Sequence, residues 1–264
     1  MLIIASPKLK AVSFIFFTLL FMGFSSFLFT SPKLSPSADM AIYNKYLWRG
    51  MNISNKVVAQ PSLNLSYSKF NFNIWGNLEL TDVNEASYGK KSKNKFTEVD
   101  YSLAWGHSID KFNLEGGIIH YRFPNTGSKP TSEIFASITA DTLLNPSYSL
   151  YWDIDAASGG FYNHFGLGHQ FANLLELSKE TFLSLDLSGH IGFGSSKYNL
   201  VYFSENAGHF TDYSLALSLP IKGKGNWELS PQLAYTSIIN DNIRKKVSFK
   251  KDNYLWGIRA NVSF

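Results

Sequence analysis

From residue 39 onward apolar and polar side chains alternate with a period of two. FNFNIWGNLEL (70–80) puts Phe70, Phe72, Ile74, Leu78 and Leu80 on one face and Asn71, Asn73, Asn77 and Glu79 on the other. LSLDLSGHIGF (183–193) separates Leu183, Leu185, Leu187, Ile191 and Phe193 from Ser184, Asp186, Ser188 and His190 in the same way. A helix of 3.6 residues per turn would mix those faces. Segments 41–48, 61–68, 96–106, 112–122, 133–140, 147–154, 161–171, 211–219, 227–237 and 254–264 fit the same template. With the first two they predict twelve strands, mostly about the length that crosses a bilayer at a tilt.

The joins alternate in length. Those at 49–60, 81–95, 123–132, 155–160, 194–210 and 238–253 are mostly long and rich in Gly, Asn, Ser and Lys, while 68–69, 107–111, 141–146 and 220–226 are mostly shorter. ANLLELSKE (172–180) breaks the rule. Long loops at one end and short turns at the other predict an all-β fold, an antiparallel up-and-down barrel of about twelve strands, transmembrane because a barrel closed in lipid leaves no unpaired backbone edge. An even strand count brings both chain ends to the short-turn side. The last strand, YLWGIRANVSF, is expected to close the barrel on the first, AIYNKYLW (41–48). A soluble barrel with its apolar face inward is the competing reading. Against it stand strands nearly free of Lys, loops that hold Lys90, Lys91, Lys93, Lys95, Lys245, Lys246, Lys250 and Lys251, and aromatic residues near strand ends. Those aromatics, among them Tyr46, Trp48, Tyr67, Phe70, Trp105, Phe112, Trp152, Phe161, Trp227, Tyr235, Tyr254 and Trp256, suit two interfacial girdles.

The first 38 residues read differently. Lys8 and Lys10 precede an uncharged apolar run at 11–30, then Pro32, Pro36 and small residues follow, the pattern of a cleavable signal peptide. Cleavage near Ser37 or Ala38, or at Ser25, fits it, and a retained helical anchor is the alternative. The expected organisation is a signal peptide over 1–38 and an outer-membrane barrel over 39–264. Removing 1–38 takes away Lys8, Lys10 and Lys33 and lowers the formal charge from +4 to +1, so the basic balance is no argument for a nucleic-acid partner. The chain has no cysteine, which excludes disulfides, thiol nucleophiles and Cys zinc sites.

YLWRG (46–50), FTEVDYSLAWG (96–106), FNLEGGIIHYRFP (112–124) and SEIFASI (132–138) resemble the TorF family of porins, Gram-negative outer-membrane barrels. NPSYSLYWDIDAASGGFYNHFGLGHQF (145–171) resembles the Pro-strand-Asp-loop-strand block of such proteins. The resemblance spans most of residues 43–219 and implies passive transport, with no catalytic residues.

If the apolar faces meet lipid, the lumen receives Glu79, Glu98, Asp100, Glu115, Glu133, Asp153, Asp186, Asp212 and Glu228, opposed mainly by Arg49, Lys45 and Arg259. The expectation is an acidic, narrow channel for small polar solutes or cations, with carboxylates setting selectivity. The alternative is a polar-filled barrel with a structural or adhesive role, its basic loops KKSKNK (90–95) and IRKKVSFKK (243–251) set against lipopolysaccharide. A lipid hydrolase is a third reading. It needs His and Ser close together on one bilayer-facing strand, and neither His107 with Ser108 nor His190 with Ser195 has that spacing. No catalytic site, metal site or cofactor is expected. Trp256, Ile258, Val262 and Phe264, apolar at every second position to a terminal aromatic, resemble the signal read by the β-barrel assembly machinery. The expected partners are that machinery, outer-membrane lipid and lipopolysaccharide, and small solutes or ions.

Overall fold

The computed structural model describes residues 33–264. Along the chain run β1 (Ser35–Tyr43), β2 (Tyr46–Trp48), β3 (Met51–Ser54), β4 (Val58–Tyr67), β5 (Phe70–Glu79), α1 (Glu85–Tyr88), β6 (Lys95–Ile109), β7 (Phe112–Arg122) and β8 (Thr131–Ala140). Then come β9 (Ser147–Asp153), β10 (Phe161–Ser178), β11 (Thr181–Gly194), α2 (Ser196–Phe203), β12 (His209–Ser218), β13 (Ile221–Lys222), β14 (Trp227–Ile238), α3 (Asp241–Lys246) and β15 (Asp252–Ser263).

Each long strand pairs antiparallel with its neighbours, and β1 pairs with both β4 and β15, so twelve strands close into a barrel. The remaining three are the separate hairpin β2–β3 and the short β13. Closure is tight at the chain ends: Ser37 faces Ser263, and the Phe264 N–H donates to the Pro36 carbonyl at 3.0 Å. Every edge is thereby satisfied.

The period-two pattern determines the two faces. Leu63, Leu103, Ile118, Ile134, Leu167, Leu215, Leu233 and Ile258 point outward and are exposed. Aromatics band both ends of this surface, with Trp152, Phe161, Phe210 and Tyr254 toward the long loops and Tyr67, Phe70, Trp105 and Trp227 toward the short turns. Residues at the intervening positions, such as Gln60, Asn73, Ser102 and Gln232, line the interior.

Three expectations are corrected. The first barrel strand is Ser35–Tyr43, not 41–48, because Asp39, Ala41 and Tyr43 keep the inward register while Met40 and Ile42 face out. Residues 35–38 therefore belong to the barrel; the rest of the expected leader up to residue 32 lies outside the described residues. Tyr46 and Trp48 leave the girdle set, since they sit in β2, inside the barrel. Residues 172–178 are not a loop. They extend β10, which turns back at Lys179–Glu180 with Glu180 at φ +65°. The segment reads as loop because a bulge at Asn173, φ +51°, shifts the register between Phe171 and Leu175 and breaks the alternation.

Candidate functional site in the barrel lumen

The loop between β1 and β4 turns inward and crosses the lumen as the β2–β3 hairpin. Its tip is Arg49–Gly50, at φ +46° and +80°, the two left-handed residues of a primed two-residue turn. Gly50 is required on two counts. Its φ is left-handed, and a Cβ there would lie 2.6 Å from Asp212 Cβ on β12 and Ile238 Cδ1 on β14.

At the tip, Arg49 donates to both Glu133 oxygens of β8, each at 2.7 Å, and Nη1 also donates to the Tyr198 hydroxyl at 3.1 Å. Its guanidinium carbon lies 4.4–4.5 Å from the ring centres of Trp48, Tyr151 and Tyr162 and 5.6 Å from that of Tyr198. A planar cation is thus enclosed by four aromatic faces and one bidentate carboxylate. The walls are held from behind. Tyr121 donates to Glu133 at 2.8 Å, Tyr162 to Asp212 at 3.1 Å, and Tyr202, ring-packed on Tyr198, to Asp153 at 2.7 Å.

Above the hairpin the loops carrying α2 and α3 fold in rather than standing out in solvent. Tyr198 and Phe203 of α2, Ile243 of α3, Val247, Met51, Tyr162 and Ile238 form one buried apolar cluster. Ser195 caps α2 by accepting from the Tyr198 N–H, and Asn240 caps α3 by accepting from Asn242 and Ile243. The helices present these side chains toward the hairpin, so the long-loop end of the barrel has a small core of its own.

The hairpin divides the interior. On the short-turn side lies a cavity of about 720 Å³ lined by Asp39, Asn64, Asn73, Asp100, His164, His190 and Arg259 among others. On the loop side lies one of about 390 Å³ lined by Tyr46, Ile53, Tyr88, Glu98 and Tyr202 among others. Trp48 and Tyr121, edge to face at 6.2 Å, line both and form the partition. Burial pushes the Tyr88 hydroxyl up to about 12, with Glu79 adding to the shift, so it enters the upper chamber as a neutral group.

The sequence-predicted lumen residues fall into three places. Glu133, Asp153, Asp212, Glu79 and Glu98 are buried around the hairpin: Glu79 accepts from Ser54 at 2.8 Å and from Asn84 at 3.0 Å, Asp153 takes bonds from Thr131 and Tyr202, and Glu98 lies against Tyr46. Asp100 and Arg259 line the lower chamber. Arg259 is paired with Asp39, and Asp100 keeps one buried oxygen without a partner among the described residues. Glu115, Asp186 and Glu228 sit toward the short turns, Glu115 in a recess shared with Lys69 and His107, Asp186 bonded to Gln170 and Ser218, and Glu228 at 3.2 Å from Lys222. Lys45 reaches Asn253 at 3.4 Å. Trp256, Ile258, Val262 and Phe264 all face outward on β15 and just beyond it, and are exposed.

Sequence reasoning missed Asp39, which fell at the edge of the expected leader, and the inward hairpin. The signal for the hairpin was present in YLWRGMNIS: apolar residues alternate on both sides of Arg49–Gly50, a pattern unsuited to an exposed loop. A His–Ser pair also went unread, because its members lie on different strands. His120 Nδ1 is 3.0 Å from Ser132 Oγ on the outward face of β7 and β8, and the ring has no carboxylate partner among the described residues.

No curated protein sequence matches the chain. Among solved structures, an outer-membrane channel from Pseudomonas putida F1 aligns over 92% of this chain and 98% of its own, at 8% identity and a TM-score of 0.47. OmpF of Salmonella typhi aligns over 88% and 97%, at 6% identity and 0.38. The channel DcaP of Acinetobacter baumannii aligns over 91% and 100%, at 10% identity and 0.31. The family model described as "Bacterial protein of unknown function (Gcw_chp)" matches residues 30–257, and the chain belongs to that family.

Proposed function

We propose that this protein is an outer-membrane channel, exported by an N-terminal signal segment, that passes small polar solutes or cations through an acidic lumen and is occluded at rest by its β2–β3 hairpin. The observation that carries the reading is the pair of chambers on either side of the β2–β3 hairpin, both lined by Trp48 and Tyr121. An apolar exterior with two aromatic belts supports placement in a bilayer. The motif resemblance to TorF porins and the likeness in architecture to outer-membrane channels agree with it.

Charge supports the cation preference. Glu79, Glu98, Asp100, Glu115, Glu133, Asp153, Asp186, Asp212, Glu228 and Asp39 face inward against Arg49, Lys45, Lys69, Lys129, Lys222 and Arg259. Asp39 and Asp100 line the lower chamber and Glu98 the loop-side one, and carboxylates lining a chamber raise the local concentration of cations. The buried core at the loop end favours the second reading, a closed structural barrel. The reversal potential of the refolded protein in a planar bilayer under a KCl gradient, with and without the hairpin, separates them: a cation-selective current supports the channel, and anion preference, or silence from both proteins, rejects it.

A further inference from the structure

The Arg49 enclosure is built as a ligand site and is filled by the chain itself. Trp48, Tyr151, Tyr162 and Tyr198 supply aromatic faces at cation–π distance, and Glu133 supplies a carboxylate that matches a planar fork of two N–H donors. Three of the walls stand on elements other than the hairpin, β9, β10 and α2, and the carboxylate on β8. Their own hydrogen bonds to Asp212, from Tyr162, and to Glu133, from Tyr121, hold the site in shape without Arg49. Trp48, Arg49, Tyr151 and Tyr162 also line the lower chamber, so the enclosure borders the space a solute there would occupy.

We infer that this enclosure is a guanidinium-recognition site whose resting occupant is Arg49, and that solutes carrying a guanidinium or amidinium group compete with Arg49 and so release the hairpin. The inference rests on the channel reading for its physiological sense, since it names the solute class that would move the plug. It is tested by binding alone, so its failure and that of the channel are separable. Selectivity follows from geometry: a compact ammonium cannot make the two parallel bonds to Glu133 or stack flat on the rings.

Arg49→Gly empties the site and suits the turn, because glycine adopts the left-handed φ of position 49 without strain. In detergent micelles, methylguanidinium is expected to change the tryptophan fluorescence of Arg49→Gly saturably and to raise its melting temperature. It should bind at least roughly tenfold better than methylammonium, and Arg49→Gly with Glu133→Gln should lose the effect. In the unmodified protein, methylguanidinium should accelerate hydrogen exchange of the hairpin amides at 46–54 while methylammonium at equal ionic strength should not. This second measurement stands if the variant fails to fold. Equal responses to the two cations, or no response in the unmodified protein, would overturn the inference.

Discussion

Arg49 and Glu133 meet across the barrel, 84 residues apart in sequence, through two parallel hydrogen bonds of 2.7 Å. Their side chains are 8% and 1% exposed, so neither charge has bulk water as an alternative partner. The pair ties the tip of a hairpin that starts beside β1 to a strand on the opposite wall. Removing one member strands the other's charge, whereas removing both leaves no buried charge and only the Tyr121 and Tyr198 hydroxyls without their partners.

Glu133→Gln is therefore expected to destabilise the folded protein by about 3 kcal/mol, the order found when one partner of a buried ion pair is lost. Arg49→Met combined with Glu133→Leu should recover part of that loss, the remainder being the cost of the Tyr121 and Tyr198 hydroxyls left without partners. Urea unfolding in micelles followed by tryptophan fluorescence measures both. Equal destabilisation by the single and double variants would show that the pair does not act as a unit.

Gly50→Val should dislodge the hairpin without opening the barrel. The left-handed φ and the 2.6 Å approach to Asp212 and Ile238 leave no room for a branched side chain. Hydrogen exchange is expected to rise over residues 46–54 and over the Tyr198 and Ile243 segments that pack on the hairpin, with the β4–β12 ladders unchanged.

Lys246 donates to Glu205 at 2.6 Å, linking the end of α2 to α3, and this bond holds the Glu205 carboxyl below its ordinary range, with His209 adding to the shift. A carboxylate depressed on folding stabilises above its unfolded value near 4.5, and the contribution is lost as pH falls through the lower folded value. Proteolysis of the 195–208 and 239–251 loops should thus increase on acidification below about pH 4. Lys246→Met should show loops already open at neutral pH and a weaker pH response.

Deleting Phe264 should impair insertion into the outer membrane while leaving export intact. Its N–H closes the seam to Pro36, and its side chain, 70% exposed, points away from the barrel, free for recognition during assembly. Outer-membrane and periplasmic levels measured by fractionation check this, and unchanged outer-membrane levels would remove the recognition role.

The wall of the barrel was legible because outward and inward residues alternate along most of each strand, so each strand carries its own evidence. Ile74 and Asn73, or Ile258 and Arg259, are assigned by parity alone. The interior was legible only as a set of polar positions. Which carboxylate meets which partner depends on register around the ring, and nothing local links Arg49 to Glu133 or Asp39 to Arg259. Parity also misled at the first strand. Tyr46 and Trp48 keep an alternation that would suit an outer wall, but the turn at Asn44–Lys45 carries them inside.

The most direct test of an occluded channel is current through the refolded barrel before and after residues 46–54 are replaced by a short Gly-Ser link. In planar bilayers the account predicts small, cation-preferring currents from the unmodified protein and clearly larger ones, still cation-preferring, once the hairpin is gone. Silence from both correctly folded proteins, or equal conductance in the two, would contradict it.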